Sequence, residues 1–315
     1  MRRGRILKLI GGWYTLEDSE TKETFKAKAS GKLRHVRLEE DSSFLKQESK
    51  KTKKEVTTTQ LSPKVGDLVY YDDNDENKPI QEIIPRKNEL SRPDVANVDQ
   101  ILLIFSTVEP LLNFYLLDQF LVLIEKAKIK PIIVISKIDL IADNELKELK
   151  EKLNYYKKIG YQLYYVNSHQ QIGLDTLQTI FVDKVSVVAG QTGVGKSTLI
   201  NALLPNLHLR TQEISKALGR GRHTTRHTEL FYYHGGLIAD TPGFSKLELN
   251  IFEKEELKDY FIEFNNYSEE CRFKNRCYHI NEPDCGVKDN QEILESRIEN
   301  YQKLFLEIKN LKERY

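Results

Sequence analysis

The reading of the chain is decided by VSVVAGQTGVGKS, residues 185 to 197. An apolar run of strand character enters a glycine-rich turn and leaves as KSTLINALL, a helix-compatible segment. Gly190, Gly195, Lys196 and Ser197 fit G-x-x-x-x-G-K-[ST]. In such a loop glycines let backbone N–H groups wrap phosphates, the lysine reaches the outer phosphates and the hydroxyl meets Mg²⁺. Gly190, Gln191, Thr192, Gly193, Val194, Gly195, Lys196, Ser197 and Thr198 are therefore the expected phosphate site, with the helix N-terminus adding its dipole.

Working outward, ELFYYHGGLIAD reads as a hairpin of two strands ending at Asp240-Thr241-Pro242-Gly243. An acidic residue at the end of a second strand is the usual partner of a phosphate loop, because it holds Mg²⁺ directly or through water. The Gly243 N–H would contact a γ-phosphate, so this tetrapeptide distinguishes triphosphate from diphosphate. Upstream, Ser136, Lys137 and Asp139 follow the strand-like IKPIIVI. A carboxylate there accepts two hydrogen bonds from guanine N1 and N2, a donor pair that adenine lacks. Lys137 would lie along the base plane, and Asn167 and Ser168, after YQLYYV, would complete the base pocket.

The segments between these motifs alternate. VDQILLIFS, IKPIIVIS and YQLYYVNS are strand-like, whereas residues 110 to 128, 144 to 159 and 174 to 181 are helix-like, the pattern of a mostly parallel sheet. Residues 205 to 227 are rich in glycine and arginine without a hydrophobic period, and read as mobile or ligand-ordered. Residues 1 to 87 are β-rich and fit a small oligonucleotide-binding (OB) barrel carrying Arg2, Arg3, Arg5, Trp13, Tyr14, Lys26, Lys28, Lys32, Arg34 and Arg37. An RNA-binding face and a merely solvated basic face fit those residues equally. Residues 39 to 62, polar and lysine-rich, read as a mobile loop of that barrel able to touch RNA phosphates. Helices are expected to dominate from 252 to 315. The chain thus divides into a barrel (1–87), an α/β nucleotide domain (88–249) and a helical domain (250–315).

Within the last of these, Cys271-x5-Cys277-x-His279-x5-Cys285 gathers all three cysteines of the chain around one histidine. Three thiolates and an imidazole are the inventory of a closed, tetrahedral Zn²⁺ site, with no open position for catalysis. The cysteine usage argues against a disulfide framework. The net charge of +1 conceals an excess of lysine and arginine in residues 1 to 64 and of acids in 250 to 315. The apolar run at 6 to 10 is too short for a secretion signal, and that at 111 to 124 too short and too polar to span a bilayer, so a cytosolic protein is expected.

The motifs resemble those of the TRAFAC GTPases, but in a circularly permuted order: base motif, base loop, phosphate loop, then DTPG. That order, the preceding barrel, NVDQ at 97 to 100, GRGRHTT at 219 to 225 and the trailing Cys/His cluster resemble the ribosome-small-subunit-dependent GTPase A family (RsgA, also YjeQ) over nearly the whole chain. The resemblance implies hydrolysis of GTP to GDP and phosphate with Mg²⁺, structural zinc, and the small (30S) ribosomal subunit and its rRNA as partners; nothing in the sequence requires more than a monomer. Hydrolysis, stimulated by the subunit, would accompany its late maturation and drive release of the GTPase. A GTP-dependent RNA-binding switch with little hydrolysis, or a GTPase of the large subunit, are the alternatives. His223 is similar to the family histidine proposed to orient water, although a histidine in a basic loop serves equally to contact rRNA phosphate. Thr225, or failing that Thr224, would complete Mg²⁺ coordination. Phe244 stands where many GTPases carry a water-positioning glutamine, which implies slow intrinsic turnover. Ser136 stands where the base motif usually has asparagine, whose amide braces neighbouring loops; its shorter side chain leads to an expectation of weaker nucleotide affinity or weaker guanine discrimination.

Overall fold

The computed structural model describes residues 1–31, 33, 62–90, 93–204, 228–244 and 249–312. The chain forms two compact units: one of Met1–Gln100, Thr176–Val188 and Leu203–Phe244, the other of Ile101–Asp175, Ala189–Ala202 and Ser245–Tyr315.

The first unit begins with five strands, β1 (Arg2–Ile10), β2 (Trp13–Asp18), β3 (Thr24–Ala27), β4 (Leu68–Tyr71) and β5 (Ile80–Ile83). Gly11 and Gly12 both have positive φ, 56° and 79°, which a two-residue turn needs to match the twist of its strands, and they join β1 to β2 with Ile10 facing Trp13. β1 pairs with β2 and β4, β2 with β3, and β4 with β5. The circuit closes where Ala29 bridges Ile80, with Ser30 N–H donating to Ile80 O and Ile80 N–H to Lys28 O, each at 2.9 Å. The order 1-2-3-5-4-1 is a closed five-stranded barrel of the expected OB type, filled by Ile6, Leu16, Ala27, Val69, Tyr71 and Ile80. Lys32, Arg34, Arg37 and all of the expected loop at 39 to 62 except Ser62 lie outside the described residues. A short ribbon, β6 (Glu89–Leu90) with β7 (Val95–Ala96), follows the barrel.

The second unit is built on β8 (Gln100–Ser106), α1 (Phe114–Lys126), β9 (Lys130–Ser136), α2 (Asp143–Lys158) and β10 (Gln162–Tyr165). β8 is buried throughout and β9 in all but its first residue, as expected of parallel strands covered on both faces, and β10 pairs in parallel with β9. The chain then passes through α3 (Leu174–Gln178), β11 (Val185–Ala189) and α4 (Lys196–Leu203). The expected hairpin, which belongs to the first unit, is β12 (Glu229–Tyr233) and β13 (Gly236–Phe244), antiparallel, with β13 running on through the DTPG segment.

The C-terminal part departs from expectation in kind. Where helices are expected to dominate, the segment KEELKDYFIEF (254–264) instead carries short 3-10 turns, Leu257–Tyr260 and Ile262–Asn266, and two more follow at Ser268–Glu270 and Lys274–Arg276. Its one α-helix among the described residues is Glu295–Lys312. Aromatic anchors account for this: Phe252, Phe261 and Phe264 are fully buried in one cluster with Cys271, Cys277, Cys285, Tyr301 and the α1 residues Val122 and Leu123. Turns that keep redirecting the backbone bring all of them inward, which one continuous amphipathic helix cannot. Among the described residues, no helix is long and apolar enough to cross a membrane.

Candidate nucleotide and metal sites

Between β11 and α4 the glycine loop makes three turns of positive φ, at Gly190 (136°), Gly193 (89°) and Gly195 (90°). Gly190 could not be another residue, since a Cβ there would lie 2.2 Å from the Ile104 carbonyl oxygen of β8. Lys196 folds back over the loop and its ammonium donates to Gly190 O at 2.7 Å and Gln191 O at 2.5 Å. Partial burial lowers its pKa by penalising the charged form, so an anion brought to the loop meets an ammonium short of hydration. Thr192, Gly193 and Ser197 are exposed, Gln191, Gly195 and Thr198 are half-buried, and Val194 is buried beneath them.

The expected base motif sits beside that loop. Ser136 is buried, and its hydroxyl donates to Val194 O at 2.6 Å, with Phe105 O a second contact at 3.2 Å. The serine hydroxyl therefore ties the base motif directly to the glycine loop. Lys137 adopts a left-handed conformation (φ 57°) and its ammonium donates to Glu109 O at 2.6 Å. Asp139 follows in a 3-10 turn, Ile138–Leu140, with its carboxylate exposed. The base loop is shaped by Asn167, whose Oδ1 accepts from His169 N–H (3.0 Å) and Gln170 N–H (3.1 Å). Its Nδ2 is buried without a partner among the described residues, and Ser168 beside it is half-buried.

Asp240 and Gly243 belong to β13, where the Asp240 backbone pairs with Glu229; only the backbone is described there. His223, Thr224 and Thr225 lie outside the described residues.

The cysteine cluster converges as expected. The Sγ atoms of Cys271, Cys277 and Cys285 and Nδ1 of His279 lie within 4.8 Å of one another, all buried. The sulfurs stand 3.9 Å (Cys271 to Cys285) and 3.7 Å (Cys277 to Cys285) apart, and His279 Nδ1 is 3.3 Å from Cys285 and 3.6 Å from Cys271. A tetrahedron with metal–sulfur bonds of about 2.3 Å has edges of about 3.8 Å, so the cluster has the dimensions of a four-ligand metal site. The sulfurs are too far apart for disulfides, and all three cysteines are free. Burial pushes the Cys277 thiol up to about 12 and the His279 imidazole down to about 4. Without a cation these buried groups stay neutral, and a bound dication is what would make thiolates favourable there.

Residues 83–250, a span holding base motif, base loop, glycine loop and DTPG in that order, match the family model of the RsgA GTPase. The chain belongs to the RsgA GTPase family. A relative from Onion yellows phytoplasma (strain OY-M), named small ribosomal subunit biogenesis GTPase RsgA, is 44% identical over 98% of this chain and 99% of its own. One of the same description from Oceanobacillus iheyensis, numbered RsgA 2, is 44% identical, covering both chains fully. Among solved structures, YloQ, described as a circularly permuted GTPase, superposes with a TM-score of 0.79 at 36% identity, covering 100% of this chain and 97% of its own. YjeQ from Thermotoga maritima gives 0.78 at 35%, covering 98% of each.

As an RsgA-family member the chain is a GTP hydrolase with a permuted nucleotide domain. Two features of its nucleotide region escape a motif reading. The first is the contact of Ser136 with Val194; the second is the loop 107 to 110, whose carbonyls hold Lys137. The only hint of the second in the sequence is a run of polar residues, Ser106-Thr107, at the end of an apolar strand.

Proposed function

We propose that this RsgA-family GTPase binds the small ribosomal subunit, acts in its late maturation, and leaves it on hydrolysis of GTP to GDP and phosphate. The observation that carries the reading is Ser136 Oγ on Val194 O: one hydrogen bond makes base motif and glycine loop a single nucleotide cradle. Gly190 to Thr198 hold the phosphates, with Lys196 on the outer ones. Asp139 reads guanine N1 and N2, Lys137 lies along the base, and Asn167 and Ser168 close the pocket. Mg²⁺, when bound with GTP, neutralises charge between the outer phosphates. Ser197, Thr225 or Thr224, and Asp240 would hold it, and Gly243 would meet the γ-phosphate. With Phe244 in place of a water-positioning glutamine, His223 orients the attacking water once the subunit is engaged.

Residues 1–87 are the RNA-facing barrel, where Lys28 Nζ stands 4.3 Å over the exposed Trp13 ring, a basic and aromatic pair suited to stacked bases and phosphates. Residues 88–249 are the nucleotide domain and 250–315 a zinc domain in which Cys271, Cys277, His279 and Cys285 hold one structural Zn²⁺. The protein is a cytoplasmic monomer. Co-sedimentation tests the partner: the chain with a non-hydrolysable GTP analogue pellets with purified small subunits and much less with GDP, and equal pelleting with large subunits would contradict the reading.

A further inference from the structure

Thr107, the first residue after β8, is 3% exposed and spends both of its donors on the base motif. Its backbone N–H donates to Ser136 O at 3.2 Å and its hydroxyl to Lys137 O at 2.7 Å. The Lys137 carbonyl also accepts from Leu140 N–H at 3.1 Å, the bond that closes the 3-10 turn carrying Asp139. One acceptor is thus shared by Thr107 and by the turn that sets the direction of the Asp139 carboxylate.

The same loop takes the lysine side chain. Lys137 Nζ donates to Glu109 O at 2.6 Å and stands 3.4 Å from Val108 O, while Ser106 Oγ donates to Pro110 O at 2.7 Å and closes the loop on itself. Lys137 holds its left-handed conformation between these two grips, one on its carbonyl and one on its ammonium. A residue with a Cβ keeps such a backbone only where its surroundings fix it.

We propose that Thr107 is a positioning residue for guanine recognition, acting through the Lys137 carbonyl to hold the turn that aims Asp139. The proposal rests on the reading that Asp139 accepts the guanine N1 and N2 protons. The Thr107 hydroxyl is suited to this and not to holding the strand: the backbone N–H already ties the end of β8 to β9. Without the hydroxyl, Lys137 O still accepts from Leu140, so no buried acceptor is orphaned and the fold keeps its bonds.

The test uses Thr107→Val, which keeps the volume and removes the hydroxyl, and Thr107→Ser, which keeps the hydroxyl. Binding of GDP and of inosine diphosphate is measured by calorimetry; inosine lacks the 2-amino group and offers Asp139 one hydrogen bond in place of two. Thr107→Val is expected to weaken GDP about five- to tenfold, the worth of one hydrogen bond, and to weaken inosine diphosphate less, so that the GDP preference shrinks. KM for GTP rises in parallel with little change in kcat at saturation, and Thr107→Ser stays within about twofold of the parent, since its hydroxyl keeps the hydrogen bond. An unchanged affinity, or an equal loss for both nucleotides, would overturn the proposal, because general loosening does not sense the 2-amino group. Should Thr107→Val fail to fold, the preference ratio of Thr107→Ala against Thr107→Ser decides in the same way. A parent protein that binds ADP as tightly as GDP would instead overturn the reading of Asp139 on which the proposal stands.

Discussion

Arg297 of the C-terminal helix and Asp118 of α1 meet at 2.7 Å with both side chains removed from solvent. The guanidinium also donates from Nε and Nη2 to the two carboxylate oxygens of Glu263, at 2.7 and 2.8 Å, and lies 4.4 Å over the Phe261 ring. Asp118 is completed by the Tyr156 hydroxyl of α2 at 2.7 Å and by Asn300 Nδ2 at 2.6 Å. One cation and two carboxylates therefore tie the segment holding the cysteine cluster to α1 and α2.

Arg297→Met removes the cation and leaves two buried acids, a change that costs roughly 3–5 kcal/mol of stability at neutral pH. Burial pushes the Asp118 carboxyl up, against the pull of Arg297, Asn300 and Tyr156, and loss of Arg297 raises it further. A carboxyl raised above its unfolded value is protonated first in the folded state, so stability falls as pH rises through that window and recovers as pH drops. Urea unfolding of variant and parent between pH 5 and 8 is expected to show the deficit shrinking toward the acid end.

Asp18 supplies a pH dependence of the opposite sign in the barrel. Burial alone would raise its carboxyl, but the Tyr71 hydroxyl at 2.5 Å and the Thr21 and Glu20 amides outweigh it and hold the group at about 2. Its contribution is present above the ordinary carboxylate value and is lost as pH falls from about 4 to about 2. Asp18→Asn is expected to be less stable than the parent at pH 6, with the difference gone by about pH 2, as read from thermal midpoints along a pH series.

Ser136→Ala removes the hydroxyl that reaches Val194 O and leaves a buried carbonyl without that bond. GDP affinity is expected to fall about threefold to tenfold, measured by calorimetry, with the GDP-to-ADP preference retained because Asp139 is untouched.

The cysteine cluster predicts about one zinc per chain by elemental analysis. Cys285→Ser, which removes the thiol nearest to the other three ligand atoms, is expected to lower that content well below one. The melting temperature falls by at least several degrees, because metal binding and folding of such a segment are linked.

What could be read from the chain itself follows from how locally each feature is encoded. The glycine loop, the DTPG segment and the Cys/His spacing are short runs whose residue types are tied to one chemistry, and the barrel strands carry their own alternation and turn glycines. Asp118 marks the limit: in an apolar stretch it reads as a polar interruption, and nothing adjacent announces a partner 179 residues away. The Ser136 contact is hidden for a related reason, since side-chain length alone does not tell how near the Val194 carbonyl comes. Leu257, Tyr260, Phe261 and Phe264 satisfy a helical period, yet it is the burial of the aromatic rings, Phe252 among them, around the cysteines that sets the backbone there.

The most direct test of the account is phosphate release from GTP and from ATP, with Mg²⁺, by the purified protein alone and with added small or large ribosomal subunits. Slow turnover selective for GTP, accelerated by small subunits and not by large ones, is the predicted result. GTP turnover indifferent to both subunits, or ATP turnover equal to it, would contradict the account.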